Sequence, residues 1–243
     1  MAFTINTRTL SDTATTSVFM AYGVDANPAA AASATIYDSS AATYALATLT
    51  LSAATSGTDT FVIGEIVTAD SINMVVQNHI TGGTTMTVYR CTSGTDETPL
   101  GWSGTTLPGT SQAIVGSISG THTVTTHSST TGTFNARTVQ INGVRWSVNG
   151  AESVKLQYGG TSTQDIGYFT GSGVWDSVNH LIPITMGSAT GGAAAGDILL
   201  TTVAAGAQYD TITMMLEVKK TGGFNTPNYE GNIGAQYDLK GRY

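Results

Sequence analysis

The feature that most narrows the fold is an alternation of period two. In the run from Thr211 to Val218, Ile212, Met214, Leu216 and Val218 alternate with Thr211, Thr213, Met215 and Glu217. That spacing puts the first set on one face of a β-strand. Val144, Trp146 and Val148 repeat the pattern against Arg145 and Ser147, and Val154, Leu156 and Tyr158 repeat it against Lys155 and Gln157. A helix would need apolar residues at steps of three and four. Between the last two runs, Asn149-Gly150 suits a tight turn, with Ala151 to Ser153 widening it. The prediction is a hairpin over residues 145 to 160, with Trp146 in the core.

Shorter strands are predicted along the rest of the chain, at Ser17 to Tyr22, Thr35 to Tyr37, Tyr44 to Leu51, Phe61 to Thr68, Ile72 to Val76 and Thr84 to Cys91. Others follow at Gln112 to Ile118 and Thr121 to Thr126, paired around Ser119-Gly120, and at Asp165 to Thr170 and Asp197 to Thr202. Gly, Asp and Ser separate them, as in sandwiches and small barrels. The fold class expected is all-β: an antiparallel β-sandwich, jelly-roll-like, with a smaller inserted β-barrel or β-sandwich module. A change of texture near Ser52 and a Ser/Thr linker at Ser128 to Thr133 divide the chain. Residues 1–51 are read as an N-terminal arm and the first strands of the main sandwich, 52–126 as the inserted module, and 127–243 as the rest of the sandwich and a tail. Polar residues 1 to 16 form the arm. Ser93 to Thr110, with Asp96-Glu97, Pro99, Trp102 and Pro108, reads as a long exposed loop.

Composition bears on partners. Charged residues make up 10% of the 243, against roughly 25% in an average soluble domain. Either hydroxyls and amides wet the surface, or neighbouring subunits cover it, since interface cores are depleted in charge. The net charge of -7 with only 9 Lys and Arg argues against direct contact with nucleic acid or an anionic membrane, which needs clustered cations. Cys91 is the single cysteine, which excludes an intramolecular disulfide and a cysteine zinc site; it is read as a buried strand-end residue. The opening MAFTINTRTL has no basic stretch leading into an apolar run, so no secretory leader is expected. No apolar segment nears the ~20 residues of a membrane helix.

Candidate chemistry is sparse. His79, His122, His127 and His180 are expected on the polar surface. The five-residue step from His122 to His127 puts the rings on opposite faces of a strand and disfavours a shared metal. Asp165 and Asp176 flank an aromatic segment, a weak match to a glycosidase carboxylate pair. Nucleophile-elbow, P-loop and His-Glu-x-x-His motifs do not occur. No catalytic, cofactor or metal residue is assigned, and the chain is not expected to be an enzyme. Trp102, in a Gly/Pro-rich loop, is the one tryptophan expected to be exposed, as a ligand contact or as a loop anchor.

Four stretches, Val154-Lys-Leu-Gln-Tyr-Gly-Gly-Thr-Ser-Thr163, Tyr168-Phe-Thr-Gly-Ser-Gly173, Gly196-Asp-Ile-Leu-Leu-Thr-Thr202 and Tyr209 to Lys220, together resemble virion structural proteins of tailed bacteriophages, especially those of marine cyanobacteria. The resemblance spans roughly Val139 to Gly223, and Phe61 to Thr68 is similar to small β-barrel modules inserted in phage particle proteins. It implies a virion component made in the host cytoplasm, foremost a capsid decoration or cement protein. Such a protein would be homo-oligomeric, with a trimer favoured, and would dock on other virion proteins such as the major capsid protein. The alternatives are a tail, neck or baseplate component, and a receptor- or carbohydrate-binding module using Trp102. Tyr229, Tyr237 and Tyr243 are the interface anchor candidates, because rigid aromatics dominate interface energies; packing on their own domain is the competing role.

Overall fold

A computed structural model describes residues 4–24, 33–127, 132–149, 153–176, 184–187, 194–203 and 211–225. Among them are eighteen strands, β1 to β18 in chain order, and one short 3-10 turn at Gly57–Asp59. Every strand pairing is antiparallel. The chain is an all-β protein, as its alternations require.

Two sheets form the sandwich. The six-stranded sheet runs in the order β1 (Thr4–Asp12), β2 (Thr16–Val24), β18 (Thr211–Gly222), β12 (Thr138–Asn149) and β15 (Gly171–Asp176), with β16 (Ile184–Thr185) also on β12. The four-stranded sheet runs β14 (Gln164–Phe169), β13 (Ser153–Tyr158), β17 (Ile198–Val203) and β3 (Ser33–Tyr37). Their inner faces meet directly. Phe19 stacks on Tyr37 with centroids 5.2 Å apart, and Trp146 meets Phe169 edge-on at 5.0 Å. The Tyr158 hydroxyl accepts from the Ile141 amide at 3.1 Å and donates to the Ile184 carbonyl at 2.5 Å. Reaching from the four-stranded sheet, that phenol satisfies two backbone groups of the facing six-stranded sheet inside an apolar core.

The third sheet has eight strands, in the order β10 (Gly120–Thr125), β9 (Ala113–Gly116), β5 (Ile66–Ala69), β6 (Ile72–His79), β7 (Thr85–Ser93), β4 (Leu46–Thr50) and β11 (Gly132–Phe134), with β8 (Asp96–Leu100) also on β7. It takes β4 and β11 from either side of residues 52–126. The far ends approach closure. Ser52 N donates to Thr125 O at 2.8 Å, His127 N donates to Thr50 O at 2.9 Å, and Leu51 bridges Thr126. The sheet therefore curls toward a small barrel, inserted between β3 and β12.

One hydrophobic cluster joins all three sheets, from Phe19 and Leu216 through Tyr37 and Leu200 to Leu49 and Val88. Backbone bonds tie the barrel to the sandwich at one place: Leu46 N to Gly223 O at 2.8 Å, Asn225 N to Tyr44 O at 2.8 Å and Trp102 N to Ser40 O at 2.6 Å.

Four sequence expectations are corrected here. The 145 to 160 hairpin does not form, because β12 and β13 lie in different sheets, with β12 on β15 and β18 and β13 on β14 and β17. Alternation says that a strand has a buried face and is silent about its neighbour; Val148 and Val154 reach the same core from opposite layers. Residues 4 to 12 of the supposed arm are β1, paired along their length with β2. The long exposed loop is instead β8 on β7, followed by a buried Trp102. The Phe61 strand starts only at Ile66, after a turn at Gly64, whose φ is 89°.

Candidate assembly surface and buried polar clusters

The outer face of the six-stranded sheet is the most distinctive surface. Inward residues of β2 and β18 are buried, leaving Val18, Met20, Tyr22 and Val24 outward on β2 and Met215 outward on β18. Registers align Met20, Met215, Arg145 and Val174 in one cross-strand row, with Arg8 at its end on β1. The adjoining row holds Val18, Glu217, Gly143 and Asp176. Tyr22 is 41% exposed, Val24 53% and Val174 56%. Large apolar side chains on an open sheet face mark interaction surfaces more often than they mark chance. A bulge at Asn142, between the register pairs of Ile141 and Gly143, turns Gly143 outward. Its missing side chain leaves a groove of about 170 Å³ walled by Val18, Arg145, Asp176, Met215 and Glu217. Arg145 is exposed and has no ion-pair partner among the described residues.

Three polar clusters lie inside. The Lys220 ammonium is fully buried and donates to Asp12 Oδ1 at 2.7 Å, Thr13 O at 2.6 Å and Thr43 O at 2.9 Å. Asp12 also accepts from Ser17 Oγ at 2.5 Å and from Thr43 N at 2.7 Å. Burial lowers the Lys220 pKa, and Asp12 opposes that shift. Three acceptors, one of them an anion, take the three N–H groups of this ammonium, the condition for keeping a charge inside. A cavity of about 190 Å³ adjoins it, lined by Asp12, Ser17, Phe19 and Tyr37 among others. The second cluster centres on Ser39, whose amide donates to Asp197 Oδ1 at 2.8 Å and whose hydroxyl accepts from Arg137 Nε at 2.8 Å. Burial raises the Asp197 pKa and lowers that of Arg137.

The third cluster is in the barrel. Ser119 Oγ stands 2.6 Å from His122 Nε2 and 2.9 Å from both oxygens of the buried Glu65. Glu65 also accepts from the amides of Val62, Ile118 and Ser119. Because the carboxylate takes the serine proton, Nε2–H donates to Ser119 Oγ and Nδ1 is left bare. That direction is the reverse of a general base acting on a serine nucleophile. Nδ1 is buried without a hydrogen-bond partner, 4.0 Å from Asp59 Oδ1. Phe61 covers the His122 ring at 3.9 Å and meets His79 edge-on.

The surface reading of the histidines is therefore corrected for His79 and His122, both buried; His180 lies outside the described residues. Trp102 is also corrected: it is 2% exposed, and its Nε1 donates to Ala45 O at 2.7 Å. It anchors the β8 loop against the junction and offers no ring face to a ligand. Trp146 is half-buried, with Nε1 donating to Thr170 O at 3.1 Å. Asp165 pairs with Lys155 at 2.9 Å, while Asp176 lies on β15 in the other sheet. Cys91 is buried, and burial pushes its thiol up to about 11. Tyr229, Tyr237 and Tyr243 lie outside the described residues. Sequence reasoning missed Lys220, Glu65 and the outer face of β2; for the last, Val18, Met20, Tyr22 and Val24 at every second position were the available signal. No family model, curated protein or solved structure matches the chain.

Proposed function

We propose that the chain is a structural protein of a tailed-phage virion, a capsid decoration or cement subunit without catalytic activity that works by assembling in copies on the shell. The observation that carries this reading is the apolar stripe of Val18, Met20, Tyr22, Val24, Met215 and Val174 on the open face of the six-stranded sheet, in a chain with only 10% charged residues. The resemblance over Val139 to Gly223 includes β12, β15 and β18, three of the strands that make that face. Contacts made only in the assembled particle stabilise it by mass action. The partners are further copies of the chain and the major capsid protein.

Quantitative mass spectrometry of purified particles tests the proposal. A copy number that tracks the major capsid protein supports decoration, and a count fixed at a few per particle moves the chain to the tail, neck or baseplate. Absence from washed particles removes the virion reading.

A further inference from the structure

We infer that the outer face of the six-stranded sheet packs against the same face of a second copy, with Arg145 of each copy seated in the Gly143 groove of the other. The inference deepens the assembly reading and rests on it. Size comes first. Five strands at ~4.8 Å spacing and ~30 Å length give a face of roughly 700 Å² per copy, close to the ~800 Å² per partner of a standard stable interface.

The charges supply the register. Arg145 stands in the row of Met20, Met215 and Val174, while Glu217, Gly143 and Asp176 stand side by side in the next row. A two-fold axis in the plane of contact, parallel to the rows and midway between these two, lays each row on the other. Arg145 then falls on Gly143 of the second copy, between its Glu217 and Asp176. The groove of about 170 Å³ receives the side chain. Met20 meets Val18 of the second copy in the same overlay, and Arg8 meets the second copy's Ser11. A guanidinium without an ion pair among the described residues of its own chain thereby meets two carboxylates of the second copy, and the contact closes on itself.

The experiment is sedimentation velocity on the full chain over a concentration series, with R145E, the exchange R145E/E217R, and G143V. Arg145 and Glu217 are exposed, and a Cβ at Gly143 meets nothing nearer than 3.4 Å, so thermal unfolding of each variant serves as the check on folding. The expected result is a self-associating chain whose dissociation constant rises about 100-fold in R145E, since symmetry removes the pair twice. G143V weakens association without altering charge, and the exchange variant recovers most of it. A chain that is monomeric throughout, or one whose association ignores all three changes, overturns the inference. The particle measurement above is independent of either outcome, so the virion reading stands or falls separately.

Discussion

Lys220 occupies the position on β18 where the alternation of Ile212 to Val218 calls for another apolar side chain. Its charge is tolerated because Asp12, Thr13 and Thr43 converge on it, and removing one member leaves the other members unsatisfied. Lys220→Met is expected to cost about 3 kcal/mol, because Asp12 is left partly buried without its cation; urea unfolding at pH 7 measures it, and a loss below about 1 kcal/mol would refute the cage. His122 gives a pH prediction. Burial holds its pKa below the ordinary value, against Glu65 and Asp59, which pull it up, while His79 adds to the lowering. The unfolded chain therefore takes up a proton before the folded one does. Stability is full above the unfolded value of about 6.5 and falls as pH drops from there through the folded pKa. The melting temperature should fall between pH 7 and pH 5, and His122→Gln should flatten that slope.

At the scale of elements, strands were legible wherever alternation was clean and boundaries were not. The β9–β10 hairpin around Ser119-Gly120 forms as its turn residues suggest, with Gly120 at φ 79°. The β5–β6 turn is different: Asp70 and Ser71 both adopt positive φ, 51° and 62°, in a two-residue loop where glycine is the usual choice. Ser71→Gly is expected to stabilise the protein by about 0.5–1 kcal/mol, after allowing for the extra freedom of the unfolded chain; equilibrium denaturation reads it, and a destabilised variant would contradict the turn. β12 carries a phase break. Val139 and Ile141 are in step, Val144 and Val148 are in step, and the odd interval between the pairs is the bulge at Asn142. Counting that interval would have predicted the bulge, and with it the outward Gly143. Trp102 had no such signal, because loop composition does not tell whether a ring points to water or back to the Ala45 carbonyl.

At the scale of the molecule, one apolar cluster runs through all three sheets. The barrel and sandwich are thus expected to unfold together, as a single calorimetric transition whose van't Hoff and calorimetric enthalpies agree; two resolved transitions would show that the barrel is held independently. By itself the sequence determined the all-β class and many of the strands, because side-chain alternation is a local property that survives any arrangement of neighbours. It also set the low charge, 10% of the residues, which lowers the desolvation cost of burying the surface. Only the tertiary structure decided which strands pair, since β12 joins β18 some 60 residues later rather than the adjacent β13. It alone brought Lys220 to Asp12 across 208 positions. Those choices depend on burying the inner apolar faces of three sheets at once while giving nearly all buried polar groups a partner, a condition on the whole chain that no short window contains.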